Sequence, residues 1–189
     1  FLEIPYDKLE EMNLATKEAR LNRTPAHKLR EKHMKYLADE KRIKAVTVCF
    51  TDLEGRLHML DYDKKSLPKA DGLTFDGSSI RGFTRIAESD LRLGIDWRAF
   101  YWMPADVFGP GKVLVFGDVC DQDGTPYVAD LRARLKEFAA QLRKKDMVAH
   151  VANEIEGFIF KGRDAERRYF ETGQFEYVST RYAFPVTTH

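Results

Sequence analysis

The sequence lacks several features that mark common classes of protein. It contains only two cysteines, Cys49 and Cys120, each inside or at the end of an apolar run that is typical of a strand. A disulfide framework or a cysteine-based metal site would need more cysteines, so the two thiols favour a reducing compartment. No apolar run approaches the roughly 20 residues needed to span a bilayer, and the first residues lack the pattern of a secretory signal. We therefore predict a cytoplasmic protein with no membrane partner.

A strong charge of one sign is also missing. The 189 residues include 31 Lys and Arg against 30 Asp and Glu, a net charge of +1, and the basic residues are scattered. This balance gives no basic surface of the kind that binds nucleic acid. With 43% hydrophobic residues the chain can bury a core, and its length predicts one domain or one and a half.

Several familiar catalytic motifs are absent as well. The chain has no Gly-Lys-Ser or Gly-Lys-Thr of a phosphate-binding P-loop, and no Gly-x-Ser-x-Gly surrounds Ser78 or Ser79. None of the five histidines forms a metal-spaced pair. His27 and His33 belong to a predicted surface helix and His58 to a predicted strand, so we interpret them as structural.

The order of the predicted elements indicates an α+β fold. Residues 1–23 predict an arm or an irregular helix, and the helix that follows has one apolar stripe. The runs "AVTVCF" and "TDLEGRLHML" predict a hairpin that turns at Glu54-Gly55. Three short strands ("ESDLRL", "AFYWMPAD", "GKVLVFGDV"), a second helix with Asp130 as its N-cap, and a last strand, "HVANEIEGFIF", complete the order.

The segment "FDGSSIRGF", residues 75–83, is unusually rich in polar residues and glycine. Its simplest interpretation is a turn, in which Asp76 and the two serines bond neighbouring backbone. A plain turn would need fewer such residues, so the segment is also a candidate functional loop.

The segment "NEIEGFIF" is the second candidate. Because strand side chains alternate, Glu154 and Glu156 should project from one face, beside Phe158 and Phe160. In a buried strand, two carboxylates would need a cation, either Lys or Arg or a divalent metal with oxygen ligands. In an exposed strand they would be ordinary surface residues, and the spacing alone leaves both alternatives open.

Taken together and in this order, "FTDLEGRLH", "FDGSSIRGF", "ESDLRL", "KVLVFGDV" and "NEIEGFIF" resemble glutamine synthetase. The resemblance runs from about Ala45 to Phe160. It implies a helical arm over residues 1–42, a β-grasp domain over 43–125 and a truncated start of the catalytic domain over 126–189. It also implies ATP-dependent phosphorylation of the γ-carboxylate of glutamate, followed by displacement of the phosphate by ammonia.

The resemblance also implies roles for particular residues. Glu154 and Glu156 match ligands of two divalent ions, Mg²⁺ or Mn²⁺, which neutralise the phosphates of the co-substrate ATP. Asp76 matches the residue that binds ammonium and removes its proton, and Ser79 matches a second polar contact there. Arg81 falls at a variable position and receives no role.

In the family the active site lies between subunits of a dodecamer, and the aspartate loop of one chain completes the site of its neighbour. The resemblance therefore implies a homo-oligomer with glutamate, ammonia and ATP as small-molecule partners. Two departures stand out: "ESDLRLGIDW" lacks the usual Pro-Asp, and residues 161–189 do not match the family pattern.

We therefore expect the amino-terminal portion of a glutamate–ammonia ligase, inactive as this chain alone. The alternatives are a non-catalytic β-grasp module with a regulatory or interaction role, or a relative that joins glutamate to another amine.

Overall fold

The computed structural model describes residues 3–67, 73–84, 90–179 and 183–186, and its description of residues 155–156, 177–179 and 183–186 is confined to the backbone. The chain divides into two compact units, Phe1–Ala140 and Gln141–His189. The helices are α1 (Tyr6–Leu21), α2 (Ala26–Asp39), α3 (Ala105–Phe108), α4 (Leu131–Lys144) and α5 (Ala165–Thr172). The strands are β1 (Ala45–Thr51), β2 (Leu57–Asp63), β3 (Thr74–Asp76), β4 (Asp90–Trp102), β5 (Val113–Cys120), β6 (Asn153–Glu156), β7 (Ile159–Phe160), β8 (Tyr177–Ser179) and β9 (Ala183–Val186).

A five-stranded mixed sheet organises the first unit. Its strand order is β2-β1-β5-β4-β3, with β1 and β5 parallel and the other neighbours antiparallel. The predicted hairpin is confirmed, since β1 pairs with β2 from Ala45↔Asp63 to Thr51↔Leu57. The helices before the sheet and the mixed strand directions confirm the predicted α+β class and agree with a β-grasp domain. None of the helices in the described residues has both the length and the apolar character to cross a bilayer.

Strand β4 corrects the prediction of two short strands around Gly94. It runs unbroken through 13 residues, because both of its halves pair with β5. Ile95 lies opposite Gly117 and Phe100 opposite Val115, and the residues between them absorb a register shift. Gly94, which suggested a break, pairs in register with Asp118, and Asp96 belongs to the irregular stretch within the same strand.

The core lies between one face of this sheet and the first two helices. On β5 the alternate residues Val113, Val115 and Val119 are buried, as period-2 alternation requires. Helix α1 is a regular helix rather than an irregular arm, and the side chain of Asn13 fixes it to β4. Its amide nitrogen donates to the Trp102 carbonyl at 2.9 Å, and its oxygen accepts from the Trp102 N–H at 3.1 Å.

His33 of α2 is buried in this core, not at the surface as predicted. Its side chain continues the apolar stripe of the helix, and the residue is 1% exposed. The imidazole stacks on Phe100, with the ring centroids 4.2 Å apart, and lies edge-on to Trp102. Burial and the nearby charge of Lys32 lower its pKa to about 4. The ring is therefore a neutral aromatic element of the core.

Helix α4 begins as predicted at a buried aspartate. Asp130 caps the helix by accepting the Arg132 N–H at 3.0 Å, and it also accepts the Val119 N–H at 2.8 Å. The Arg132 guanidinium then joins α4 to the sheet, with Asp96 of β4 at 2.6 Å and Asp118 of β5 as its partners. These bonds fix the start of the helix to two neighbouring strands.

The second unit contains two small antiparallel sheets, β6 with β9 and β7 with β8. The single strand predicted for "HVANEIEGFIF" is wrong, because it ends at Glu156 and a separate strand begins at Ile159. Residues 157–158 between them belong to neither strand. Glu154 and Phe160 therefore belong to different sheets, which the uninterrupted alternation did not predict.

We expect His33 to make the fold sensitive to acid. Its folded pKa of about 4 lies below the unfolded value of 6.5, so the stabilisation is present above pH 6.5 and is lost as the pH falls toward 4. The difference corresponds to roughly 3 kcal/mol in the free energy of unfolding. Urea unfolding of His33→Phe between pH 4 and 7 should show a flatter pH dependence than the parent chain.

His27→Gln is the matched control, since His27 lies on the same helix but is exposed. It should leave the pH dependence unchanged. Parallel pH curves for the parent chain and His33→Phe would contradict the burial of a neutral imidazole.

Candidate functional site

The candidate loop begins where β3 ends. Asp76 is the last residue of this short strand, and residues 77–79 form one turn of 3-10 helix. The first carboxylate oxygen of Asp76 accepts the Ser78 N–H at 2.9 Å and the Ser78 hydroxyl at 2.6 Å. Its second oxygen accepts the Ser79 hydroxyl at 2.9 Å. The two serines predicted beside Asp76 therefore orient its carboxylate.

These bonds also set the charge of the site. The Ser78 hydroxyl, followed by the Ser79 hydroxyl, lowers the pKa of Asp76 below its ordinary value, because each bond stabilises the ionised form. Asp76 is exposed, and no Lys, Arg or His among the described residues pairs with it. The loop thus presents an oriented negative charge to its surroundings, a chemistry suited to binding a small cation.

Three aromatic rings hold the two ends of this loop on the core. Phe75 and Phe83 bracket it in sequence, and their centroids lie 4.7 Å and 6.4 Å from that of buried Phe50 on β1. The Phe83 carbonyl also accepts the Tyr127 hydroxyl at 2.6 Å. The polar residues of the loop are therefore anchored on both sides by apolar contacts.

The turn between β1 and β2, residues 52–56, lies against the far end of the loop. Glu54 forms a salt bridge with Arg81 at 3.0 Å. Arg81, to which the sequence assigned no role, therefore contacts this turn. The Leu53 side chain lies beside Gly82, whose φ of +83° favours glycine. Sequence reasoning missed this contact because the two segments are far apart in the chain.

The predicted metal ligands lie in the second unit, whereas Asp76 and Ser79 lie in the first. Glu154 is exposed on β6, opposite Pro185 of β9. Glu156 ends the same strand, and its side chain lies outside the described part of the chain. The two are at alternate positions of one strand, as the sequence predicted.

Glu154 and Glu156 are the donors that the sequence predicted for a divalent ion. Carboxylate oxygens are the ligands that Mg²⁺ and Mn²⁺ prefer, and an Mg²⁺ site normally has near-octahedral coordination. Within the described residues, no group of three or more His, Cys, Asp or Glu side chains is close enough to hold a metal. The donors Glu154 and Glu156 therefore fit the ion in type but do not complete its coordination.

A cleft of about 420 Å³ lies elsewhere in the first unit, lined mainly by apolar side chains together with Thr47, Asp61 and Lys112. The Lys112 ammonium donates to Asp61 at 2.9 Å, so its charge is already paired. None of the predicted site residues belongs to the described lining. The cleft therefore offers no unpaired cation for a nucleotide phosphate among these residues.

Part of the chain is similar to known proteins. Residues 42–122 match the family model described as the β-grasp domain of glutamine synthetase. The chain is 38% identical over 128 residues to the glutamine synthetase of Methanosarcina mazei. The aligned region covers 65% of this chain and 28% of that protein. This part of the chain is therefore similar to a glutamine synthetase β-grasp domain.

Other proteins to which the chain is similar are also glutamine synthetases. The enzyme of Clostridium saccharobutylicum is 34% identical over 154 residues, covering 76% of this chain and 34% of the relative. A solved structure of Plasmodium falciparum glutamine synthetase matches with a TM-score of 0.60 and 25% sequence identity. The match covers 70% of this chain and 26% of the chain in that structure. The chain thus spans about a third or less of the length of these glutamine synthetases.

We expect Gly82→Ala to destabilise the first unit by ~1–2 kcal/mol, because an L residue at positive φ is strained. The added Cβ would also lie 3.2 Å from Cδ1 of Leu53. Chemical unfolding of the purified variant measures the change in the free energy of unfolding.

Gly124→Ala is the matched control, since Gly124 has a φ of +86° with no atom within 4 Å of an added Cβ. In a Leu53→Ala background, the cost of Gly82→Ala should fall to that of Gly124→Ala. Equal costs in both backgrounds would show that Leu53 does not restrict the loop.

Proposed function

We propose that this chain is the amino-terminal portion of an ATP-dependent glutamate–ammonia ligase that works in glutamine biosynthesis. The observation that carries the proposal is the oriented, ionised carboxylate of Asp76 within the matched β-grasp domain. The relatives are glutamine synthetases, which favours the ligase over a non-catalytic β-grasp module. In this proposal glutamate accepts the phosphoryl group of ATP, and ammonia is the amine that displaces the phosphate.

Asp76 binds ammonium in the proposed reaction. Its depressed pKa keeps the carboxylate charged at neutral pH, so it attracts the cation. Ser79 donates its hydroxyl proton to one carboxylate oxygen, and its own oxygen keeps lone pairs that can accept an ammonium N–H. The two residues together can provide two acceptors for the bound cation.

Asp76 then removes a proton from ammonium and leaves neutral ammonia as the nucleophile. The hydroxyl bonds that orient the carboxylate also weaken it as a base, because they stabilise its ionised form. The proton transfer therefore depends on surroundings that exclude water from the loop, which raises the proton affinity of a carboxylate.

Glu154 and Glu156 would contribute two oxygen ligands to divalent ions, Mg²⁺ or Mn²⁺. When bound, such ions neutralise the phosphates of ATP and the transferred phosphoryl group. Glu154 and Glu156 occupy alternate positions of β6, and side chains at alternate positions of a strand share one face. The remaining ligands come from outside the described residues.

The proposed enzyme is a cytoplasmic homo-oligomer, a dodecamer by resemblance, with active sites between subunits. The exposure of Asp76 supports this arrangement, because a catalytic carboxylate in open water gains little from a cation until a second surface covers it. The loop of one chain would then complete the site of its neighbour.

Asp76→Asn tests the proposed role of the loop. The variant keeps the shape but removes the charge and the base. In a protein that carries this chain with a complete catalytic domain, we expect glutamine formation to fall by at least ~10²-fold, as for loss of a general base. Coupled assays of phosphate release, with calorimetry of ATP binding, should show lost turnover and retained ATP affinity.

Asp123→Asn is the matched control, since Asp123 bonds Thr125 in the same manner as Asp76 bonds Ser78. It should leave the turnover unchanged. Normal synthesis by Asp76→Asn would remove this residue from the mechanism.

Glu156→Gln tests the metal site in the same protein. An amide oxygen lacks the charge that a hard cation prefers, so the Mg²⁺ concentration for half-maximal activity should rise. Glu166→Gln, at an exposed position of α5, serves as the control. An unchanged Mg²⁺ dependence would return the two glutamates of β6 to the role of surface residues.

A further inference from the structure

The two ends of the Asp76 loop, residues 75–83, converge on one buried side chain. Phe75 precedes Asp76 and Phe83 ends the loop, and both rings contact Phe50, which is 1% exposed. A rotation or tilt of the Phe50 ring would therefore displace both ends together. The shape of the loop depends on what lies on the other side of that ring.

His58 of β2 is such a neighbour of Phe50. It lies opposite Phe50 across the β1–β2 pair, and its imidazole stacks on the phenyl ring with the centroids 5.2 Å apart and an interplanar angle of 19°. Its Nε2 lies 2.8 Å from a carboxylate oxygen of Asp52. This bond fixes the imidazole in the plane that packs on Phe50.

Asp52 is in turn held rigidly. It is 2% exposed, and its other carboxylate oxygen accepts the N–H groups of Glu54 and Arg56, each at 2.9 Å. A carboxylate this well buried is costly unless such donors satisfy it. The hydrogen bond from His58, followed by the backbone N–H groups of Arg56 and Glu54, lowers its pKa despite burial. An ionised, fully bonded Asp52 is thus part of the folded turn.

We propose that Asp52 and His58 are positioning residues, which hold the Asp76 loop in its cation-binding shape through the Phe50 ring. The inference rests on the proposed function for its purpose, but the mechanical link is a property of the first unit alone. The same turn, residues 52–56, also contacts residues 81–82 through Glu54 and Leu53. Asp52 therefore acts on the loop by two routes, through the His58 ring and through the turn that it closes.

The test uses the full chain, labelled with nitrogen-15, and reads the amide signals of the loop by NMR at neutral pH without substrate. The variants are His58→Ala and Asp52→Asn. We expect both to shift or broaden the Ser78 amide signal, because its N–H bonds the Asp76 carboxylate. The Thr125 amide, which bonds Asp123 in a similar turn, should stay in place.

Two further variants separate positioning from general stability. Met59→Ala removes an exposed side chain from the residue that follows His58 on β2, on the other face of the strand, so the Ser78 signal should not move. His58→Phe keeps a ring on Phe50, so its loop signals should lie closer to the parent chain than those of His58→Ala.

A lowered melting temperature with an unchanged Ser78 signal in His58→Ala would overturn the proposal and leave the pair with a structural role only. If Asp52→Asn does not fold, His58→Ala and His58→Phe decide the question. The readout needs no ligand, so it is independent of the ligase assignment. A displaced loop signal together with normal synthesis by Asp76→Asn would keep the positioning pair and reject the proposed catalytic role.

Discussion

The Phe50 ring connects the hydrophobic core of the first unit to its candidate site. It lies on β1, where the core requires an apolar side chain, and it contacts the rings of Phe75, Phe83 and His58. Packing in a protein interior is dense, so neighbours of such a ring have little freedom to move independently. The loop, which contains two glycines, can therefore keep one shape, although Asp76 and Ser79 are exposed.

Two aspartates near this ring have opposite environments and different roles. Asp52 is buried, and within the described part of the chain its carboxylate bonds groups of its own hairpin, so its charge serves the structure. Asp76 is exposed and is oriented by serine hydroxyls of its own loop, so its charge is directed outward. Both are ionised, but only the second can meet a cation from solution.

The sequence predicted the features that are encoded locally. The hairpin at Glu54-Gly55, the Asp130 cap and the α+β order depend on neighbouring residues and are confirmed. The errors have a different origin. Strand β4 is unbroken because it pairs with β5. The chain breaks after β6 because β6 pairs with β9 whereas β7 pairs with β8. His33 is buried because its ring stacks on Phe100 of β4. In each case a partner distant in the sequence decided the outcome, and periodicity carries no information about such partners.

The exposure of Asp76 leads to a constraint on the proposed reaction. Two unit charges 4 Å apart attract by only ~1 kcal/mol in water but by ~4 kcal/mol at an effective dielectric constant of 20. A second protein surface that covers the loop would thus strengthen ammonium binding. The same loss of water would raise the proton affinity of the carboxylate, which its hydroxyl partners otherwise keep low. Covering the loop therefore supplies both properties that the proposed role of Asp76 requires, and an open loop supplies only the orientation.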